Sequence, residues 1–235
     1  EVFFKGKKAG GNELDKRREC PSGLKHTIHL ENFSKECLKL PLQGKRAHVI
    51  QMEEGQITTK DLVCQVPGEK EFEADQEFNK IAVIERHKGT GRTGVGILSG
   101  FGLRGGAIAS SVSHDSHNII VVGDNDADME LAVNELVRTQ GGYTIVENGA
   151  VSMTLALPIM GLMSDAGYEN VNATLKKMLA KAHQMGVPKG MEPFITLSFM
   201  ALPVIPQLRI TPRGLFSVSE FCLLDTVRNG EDNGN

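Results

Sequence analysis

The stretch NIIVVGDNDADMELAVNELVRTQGGYTIVENGAV, residues 118–151, carries strand, helix and hairpin signals in direct succession. Ile119 to Val122 is an unbroken apolar run, the pattern of a strand covered on both faces. Asp124 to Asp128 supplies a turn and a helix N-cap, with carboxylates at the positive end of the helix dipole. From Met129 to Gln140 the apolar residues fall at Met129, Ala132, Val133, Leu136 and Val137, one stripe at helical spacing. Gly141-Gly142 ends that helix. Tyr143 to Glu147 then reads as a strand, Asn148-Gly149 as a turn and Val151 to Leu157 as a returning strand.

Working outward, the same alternation of short strands and turns continues upstream. Lys80 to Glu85 (KIAVIE) reads as a buried strand, followed by a glycine-rich turn from Gly89 to Gly94 and a strand over Val95 to Phe101. Arg104-Gly105-Gly106 turns the chain into Ala107 to Ser113. Lys45 to Met52 alternates, with Ala47, Val49 and Gln51 on one face and His48, Ile50 and Met52 on the other. Ile57 to Val66 pairs with it across Glu53-Glu54-Gly55. His26 to Leu30 alternates as a strand would, and Phe33, Cys37, Leu38 and Leu40 suit a short helix or an irregular strand. Glu1 to Lys8 is a strand running into a Gly-Lys turn, Lys8 to Cys20 is a polar loop, and Pro21-Ser22-Gly23 marks a boundary near Leu24.

Downstream, Pro158 to Asp165 is a Met-rich connection. Asn170 to Met185 is a second helix with Leu175, Met178, Leu179 and Ala182 on one face and Gly186 at its end. Pro193 to Pro206 is an apolar, proline-bearing tail suited to a buried interface. Leu208 to Ile210 and Leu215 to Val218 are short strands. Strands outnumber helices and short turns join them, which predicts an α+β fold: a mixed or mostly antiparallel sheet packed against a few helices.

Composition narrows the function. Lys and Arg total 26 against 29 Asp and Glu, a net charge of −3, so no basic excess exists to neutralise nucleic-acid phosphates. No apolar run reaches the roughly eighteen residues that a membrane span needs. Cys20, Cys37, Cys64 and Cys222 match neither a CxxC nor a zinc spacing, and read as free thiols in a reducing cytoplasm. With no initiator Met and no signal pattern, the chain reads as part of something longer.

Two clusters carry chemistry. Ser113-His114-Asp115-Ser116-His117-Asn118 places two imidazoles and a carboxylate just ahead of the strand at Ile119. In a turn they can converge to bind a polar substrate edge, move a proton or hold a metal; equally, the turn can satisfy its own amides while the rings face solvent. Glu85-Arg86-His87 ends the KIAVIE strand and either enters solvent or reaches a cleft. Other patterns fail. The glycines between Gly89 and Gly106 match neither GxxxxGK[ST] nor GxGxxG. Asp124-Asn125-Asp126-Ala127-Asp128 lacks the glycine and glutamate of a calcium loop. No GxSxG elbow and no Cys-His pair is present.

Residues 79–126, NKIAVIERHKGTGRTGVGILSGFGLRGGAIASSVSHDSHNIIVVGDND, resemble the C-terminal domain of adenine deaminases in the amidohydrolase superfamily. RH at Arg86-His87, GFGL at Gly100–Leu103, GAIASSV at Gly106–Val112 and HDSHN at His114–Asn118 carry the match, together with NGAV at Asn148–Val151 and the stretch through Ser164. The resemblance runs from about His26 to Val227. Glu1 to Lys8 looks like the end of the small β-sandwich that flanks amidohydrolase barrels. The resemblance therefore implies three segments: 1–24 as the end of that sandwich, 25–228 as the adenine deaminase C-terminal domain, and 229–235 as a disordered tail.

The resemblance also implies an activity, conversion of adenine and water to hypoxanthine and ammonia in purine salvage and adenine catabolism. It implies a binuclear manganese or iron centre in a (β/α)₈ barrel of the same polypeptide, a cytoplasmic location and a homo-oligomer. No residue here matches the barrel's metal-ligand motifs, so no catalytic residue and no metal ligand is expected in this chain, and the isolated chain is expected to be inactive. His114, Asp115, His117, Arg86 and His87 are the candidates for closing the barrel's pocket or contacting adenine. The competing reading is a structural or oligomerisation domain that supports the barrel without touching substrate.

Overall fold

The computed structural model describes residues 2–9, 20–31, 33–42, 44, 46–53 and 55–228. The expected tail at 229–235 and most of the loop expected between Lys8 and Cys20 lie outside the described residues.

The α+β expectation holds. An eight-stranded sheet is built from β3 (Arg46–Met52), β4 (Thr59–Gln65), β5 (Phe78–Ile84), β6 (Thr93–Ser99), β7 (Gly106–Ser110), β8 (Ile119–Gly123), β9 (Gly142–Glu147) and β10 (Ala150–Ala156). Its order is β10-β9-β7-β8-β5-β6-β3-β4. Every adjacent pair is antiparallel except β3 with β6. Three α-helices accompany it, α1 (Asp126–Thr139), α2 (Tyr168–Gln184) and α3 (Pro193–Met200). A hairpin of β1 (Val2–Phe4) and β2 (Lys7–Ala9) stands as its own sheet, and β11 (Leu208–Thr211), β12 (Gly214–Ser217) and β13 (Cys222–Leu224) form a third.

Every residue of β5, β7 and β8 is buried, because both faces of the central sheet are covered. On one face Ala82, Ile84, Ala107, Ala109, Ile119 and Val121 meet the stripe Met129, Ala132, Val133 and Leu136 of α1. Alanines at three of those sheet positions let the helix approach closely. On the other face Ile81, Val83, Ile108, Ile120 and Val122 meet Met178 and Ala182 of α2, Phe194, Leu197 and Met200 of α3, and Leu208, Ile210 and Leu215 of the small sheet. Each fully buried Ile or Val here stabilises the fold by about 1.5–3 kcal/mol. Gly94 is where the small sheet touches β6: a Cβ there would lie 1.9 Å from the Thr211 carbonyl oxygen.

Helix α1 begins where the acidic turn predicts. The N-cap is Asn125, whose side chain accepts the Asp128 N–H at 2.8 Å. Gln140 ends the helix in the left-handed region at φ 59°. Two expectations need correction. His26 to Leu30 is extended but joins no ladder, since its backbone bonds elsewhere. Pro193 to Met200 is a helix rather than an irregular tail, and its apolar residues Phe194, Leu197 and Met200 fill this chain's own core.

The register gives the sheet two chemically different ends. Ile84 pairs with both Thr93 and Ile119, so the end of β5 meets the starts of β6 and β8. At the far end Phe78 pairs with Ser99, Gln51 with Ser99 and Met52 with Thr59. Seven-residue strands separate the two ends by about 20 Å.

Candidate functional site

The antiparallel pairing of β5 with β8, continued past Ile84 and Ile119, sets Arg86 beside the turn that precedes β8. The Arg86 N–H donates to Asn118 Oδ1 at 3.3 Å, and its carbonyl accepts the His29 N–H at 2.7 Å. The Arg86 side chain turns inward and is 1% exposed. Its Nε donates to the His117 carbonyl, Nη1 to the Thr27 carbonyl and hydroxyl at 3.2 and 3.3 Å, and Nη2 to the Met160 carbonyl at 2.9 Å. The guanidinium thus fastens three segments far apart in sequence. Gly161 lies against it, and a Cβ there would come within 2.9–3.0 Å of the guanidinium atoms. Burial lowers the Arg86 pKa to about 10, which leaves it charged at neutral pH. Among the described residues no carboxylate forms an ion pair with it.

The turn itself is held from several sides. His117 sits in the left-handed region at φ 49°, with its N–H donating to the Ser113 carbonyl at 2.6 Å. The His114 N–H donates to the Ser198 carbonyl at 3.1 Å, and its ring stacks on Phe199 with centroids 5.1 Å apart. His87 Nε2 lies 2.7 Å from the Ser116 carbonyl oxygen and donates to it in the tautomer protonated there. The His114 and His117 ring centroids are 6.2 Å apart. The Asp115 carboxylate is 88% exposed and lies 3.8 Å from His114 Nδ1, so it points away from the ring pair into solvent.

His117 carries the site's most distinctive electrostatics. Its Nδ1 is buried and has no hydrogen-bond partner. Burial lowers its pKa below the usual histidine value, and the Arg86 charge and then His114 push the same way against Asp115. A neutral imidazole beside a fixed cation can donate or accept a hydrogen bond at the edge of a polar heterocycle. Glu85 is not available as a base. Burial pushes its carboxyl up, yet the donors of Thr90, His87 and Lys88 outweigh that and hold it at about 2.

A metal does not fit this site. The Arg86 guanidinium repels a cation, and among the described residues no three His, Cys, Asp or Glu side chains lie close enough together to hold an ion. The four cysteines are free. No helix among the described residues is long and apolar enough to cross a membrane.

The five candidates Arg86, His87, His114, Asp115 and His117 therefore meet at one end of the sheet. Sequence reading missed their supports: Thr27, Met160 and Gly161 around the guanidinium, and Ser198 and Phe199 under His114. These come from apolar or featureless stretches, and only the fold brings them near.

Comparison with known proteins places this end of the sheet in context. Residues 56–222 match the family described as the adenine deaminase C-terminal domain. The chain is 49% identical over 220 residues to an adenine deaminase of Desulfitobacterium hafniense, covering 93% of this chain and 39% of that protein. It is 47% identical to an adenine deaminase of Nitratidesulfovibrio vulgaris, over 84% of this chain and 35% of the relative. It is also 46% identical to the adenine deaminase of Bacillus subtilis, over 80% of this chain and 33% of the relative. The chain thus spans between a third and two fifths of the length of these relatives.

Proposed function

We propose that this chain, which belongs to the adenine deaminase C-terminal domain family, is the C-terminal part of an enzyme that converts adenine and water to hypoxanthine and ammonia. In this reading a manganese or iron pair lies in a barrel that precedes this chain in the same cytoplasmic polypeptide. No step of the chemistry is assigned to residues of this chain. Their part is to close the barrel's pocket: His117, held neutral and partnerless at Nδ1, is placed to hydrogen-bond the purine edge, while His114 and Asp115 form the rim. The observation that carries this reading is the unsatisfied, buried His117 Nδ1 in a turn that Arg86 holds rigid. A group preorganised but unpaired within its own chain suits a partner supplied from outside.

The segment assignment belongs to the same proposal. Residues 1–24 close the flanking sandwich, and the exposure of Phe3 and Phe4, at 61% and 69%, supports a hairpin whose apolar partners lie outside this chain. The test is adenine turnover by the longer polypeptide carrying His117→Ala. The expected result is a kcat/KM about tenfold to a hundredfold lower, the range for one lost hydrogen bond to a substrate, with unchanged thermal unfolding. Unchanged kinetics removes the turn from the account.

One observation favours the competing structural role. Val204, Phe221 and Leu223 are 68%, 79% and 42% exposed and border an apolar groove with Pro203, Pro212 and Phe216. A domain that only supports an oligomer would use such a groove, and its variants would change assembly while leaving turnover per barrel intact.

A further inference from the structure

The end of the sheet opposite His117 contains a cavity of about 480 Å³, within the range of small-molecule pockets. It lies where β3 and β6 end and α3 begins. Met52 and Met191 supply thioethers, Gly55, Gly100 and Gly190 leave the walls free of side chains, and Glu53 and Glu192 bring carboxylates. No Lys, Arg or His lines it. The Glu53 carboxylate is already matched by Lys60 Nζ at 2.8 Å and the Thr58 hydroxyl at 3.1 Å. Glu192 differs. It caps α3 through the Ile195 N–H, it has no cationic partner within hydrogen-bond distance, and burial pushes its carboxyl pKa up against those backbone bonds and a nearby His183. A carboxyl of this kind, facing thioethers and bare backbone, favours a flat ligand that brings its own N–H donors.

The helix that Glu192 caps reaches the other end of the molecule. Glu192 and Thr196 line the cavity, and two residues further on Ser198 accepts the His114 N–H at 3.1 Å while Phe199 stacks on the His114 ring at 5.1 Å. Eight helical residues span about 12 Å. The Thr196 N–H bonds back to the Glu192 carbonyl at 3.0 Å, which ties the cavity wall to the same rigid helix.

We propose that this cavity binds a planar, amine-bearing heterocycle, and that α3 transmits its occupancy to His114. The cavity is distinct from the His117 turn, and the proposal stands whether or not that turn touches a substrate.

The test is calorimetric titration of the 235-residue chain with adenine, and with hypoxanthine, which carries a carbonyl in place of the amine. The His114 imidazole signals are followed by NMR. The expected result is saturable binding of adenine at one site, weakened about tenfold with hypoxanthine and again about tenfold by Glu192→Gln, the scale of one charge-assisted hydrogen bond. Glutamine retains the oxygen that caps α3. Ile57→Trp, which fills the cavity from the exposed β3–β4 turn without touching the cap, abolishes binding. Saturation shifts the His114 signals in the unmodified chain. Absence of saturable adenine binding, or binding that survives both substitutions, overturns the site. Binding with unmoved His114 signals overturns the coupling.

Discussion

Two fully buried arginines hold the opposite ends of the sheet, and only one of them sits in a candidate site. Arg209, 0% exposed, donates from Nη1 to the Thr59 hydroxyl and the Leu208 carbonyl, both at 2.7 Å, and from Nη2 to the Ile57 carbonyl at 2.6 Å. Arg86 has the same kind of partners, and burial lowers both pKa values to about 10. A buried guanidinium satisfied by backbone oxygens is thus first a fastener. What distinguishes the Arg86 end is its surroundings: three histidines and a carboxylate in a half-exposed turn. Arg209 fastens the small sheet to the start of β4 and has no imidazole among its partners. Function is therefore read from what the arginine positions and not from the arginine.

Substituting the two fasteners tests this contrast with the largest expected effects. Arg86→Met leaves the carbonyls of Thr27, His117 and Met160 without donors and lowers the unfolding free energy by about 4 kcal/mol, several lost bonds from a charged donor. Arg209→Met costs a comparable amount. Urea unfolding measures both, and amide exchange separates them: only Arg86→Met deprotects the 113–118 turn. Equal protection of that turn in the two variants breaks the comparison.

The next effect is local. Gly161→Ala adds a Cβ against the guanidinium at a residue with φ 71°, and loses about 2 kcal/mol. Gly149→Ala has φ 80° but meets nothing within 4 Å, and loses only the backbone term of about 1 kcal/mol. Equal losses show that the guanidinium contact is loose.

A smaller effect is pH dependence. The folded state lowers the His117 pKa below its unfolded value, so the unfolded chain binds the proton more readily between the two values. Stability from this group is fully present above the unfolded value of about 6.5 and falls as pH drops through the window beneath it. His117→Asn tolerates the left-handed conformation and flattens that slope. Unfolding free energies between pH 5 and 7 measure the difference. The smallest effect is His87→Ala, which removes one exposed hydrogen bond to Ser116 and costs about 0.5 kcal/mol.

The central strands and α1 were legible in the sequence because both are repetitive: an apolar run covered on two faces, and an apolar stripe closed by Asn125 and Gly141. Helix α3 was not. Its residues Pro193–Met200 are apolar all round, so no periodicity marks it, and burial against the sheet decides its form. His26 to Leu30 misled in the opposite way, because alternation there reflects backbone bonds to Arg86 rather than a ladder. The site was half legible. The RH and HDSH clusters stand out by residue type, but their meeting depends on the β5–β8 register. The supports Met160, Gly161 and Phe199 carry no chemical signal. Nothing in the sequence marked Glu192 as facing a cavity.

The central claim is that this chain shapes a purine site whose chemistry lies elsewhere in the polypeptide. Its most direct test is adenine-to-hypoxanthine turnover by the folded, monodisperse 235-residue chain supplied with manganese or ferrous iron. The account predicts no turnover above the uncatalysed rate. Metal-dependent turnover contradicts it, and would place a catalytic centre within these residues, with His114 and His117 the first to substitute.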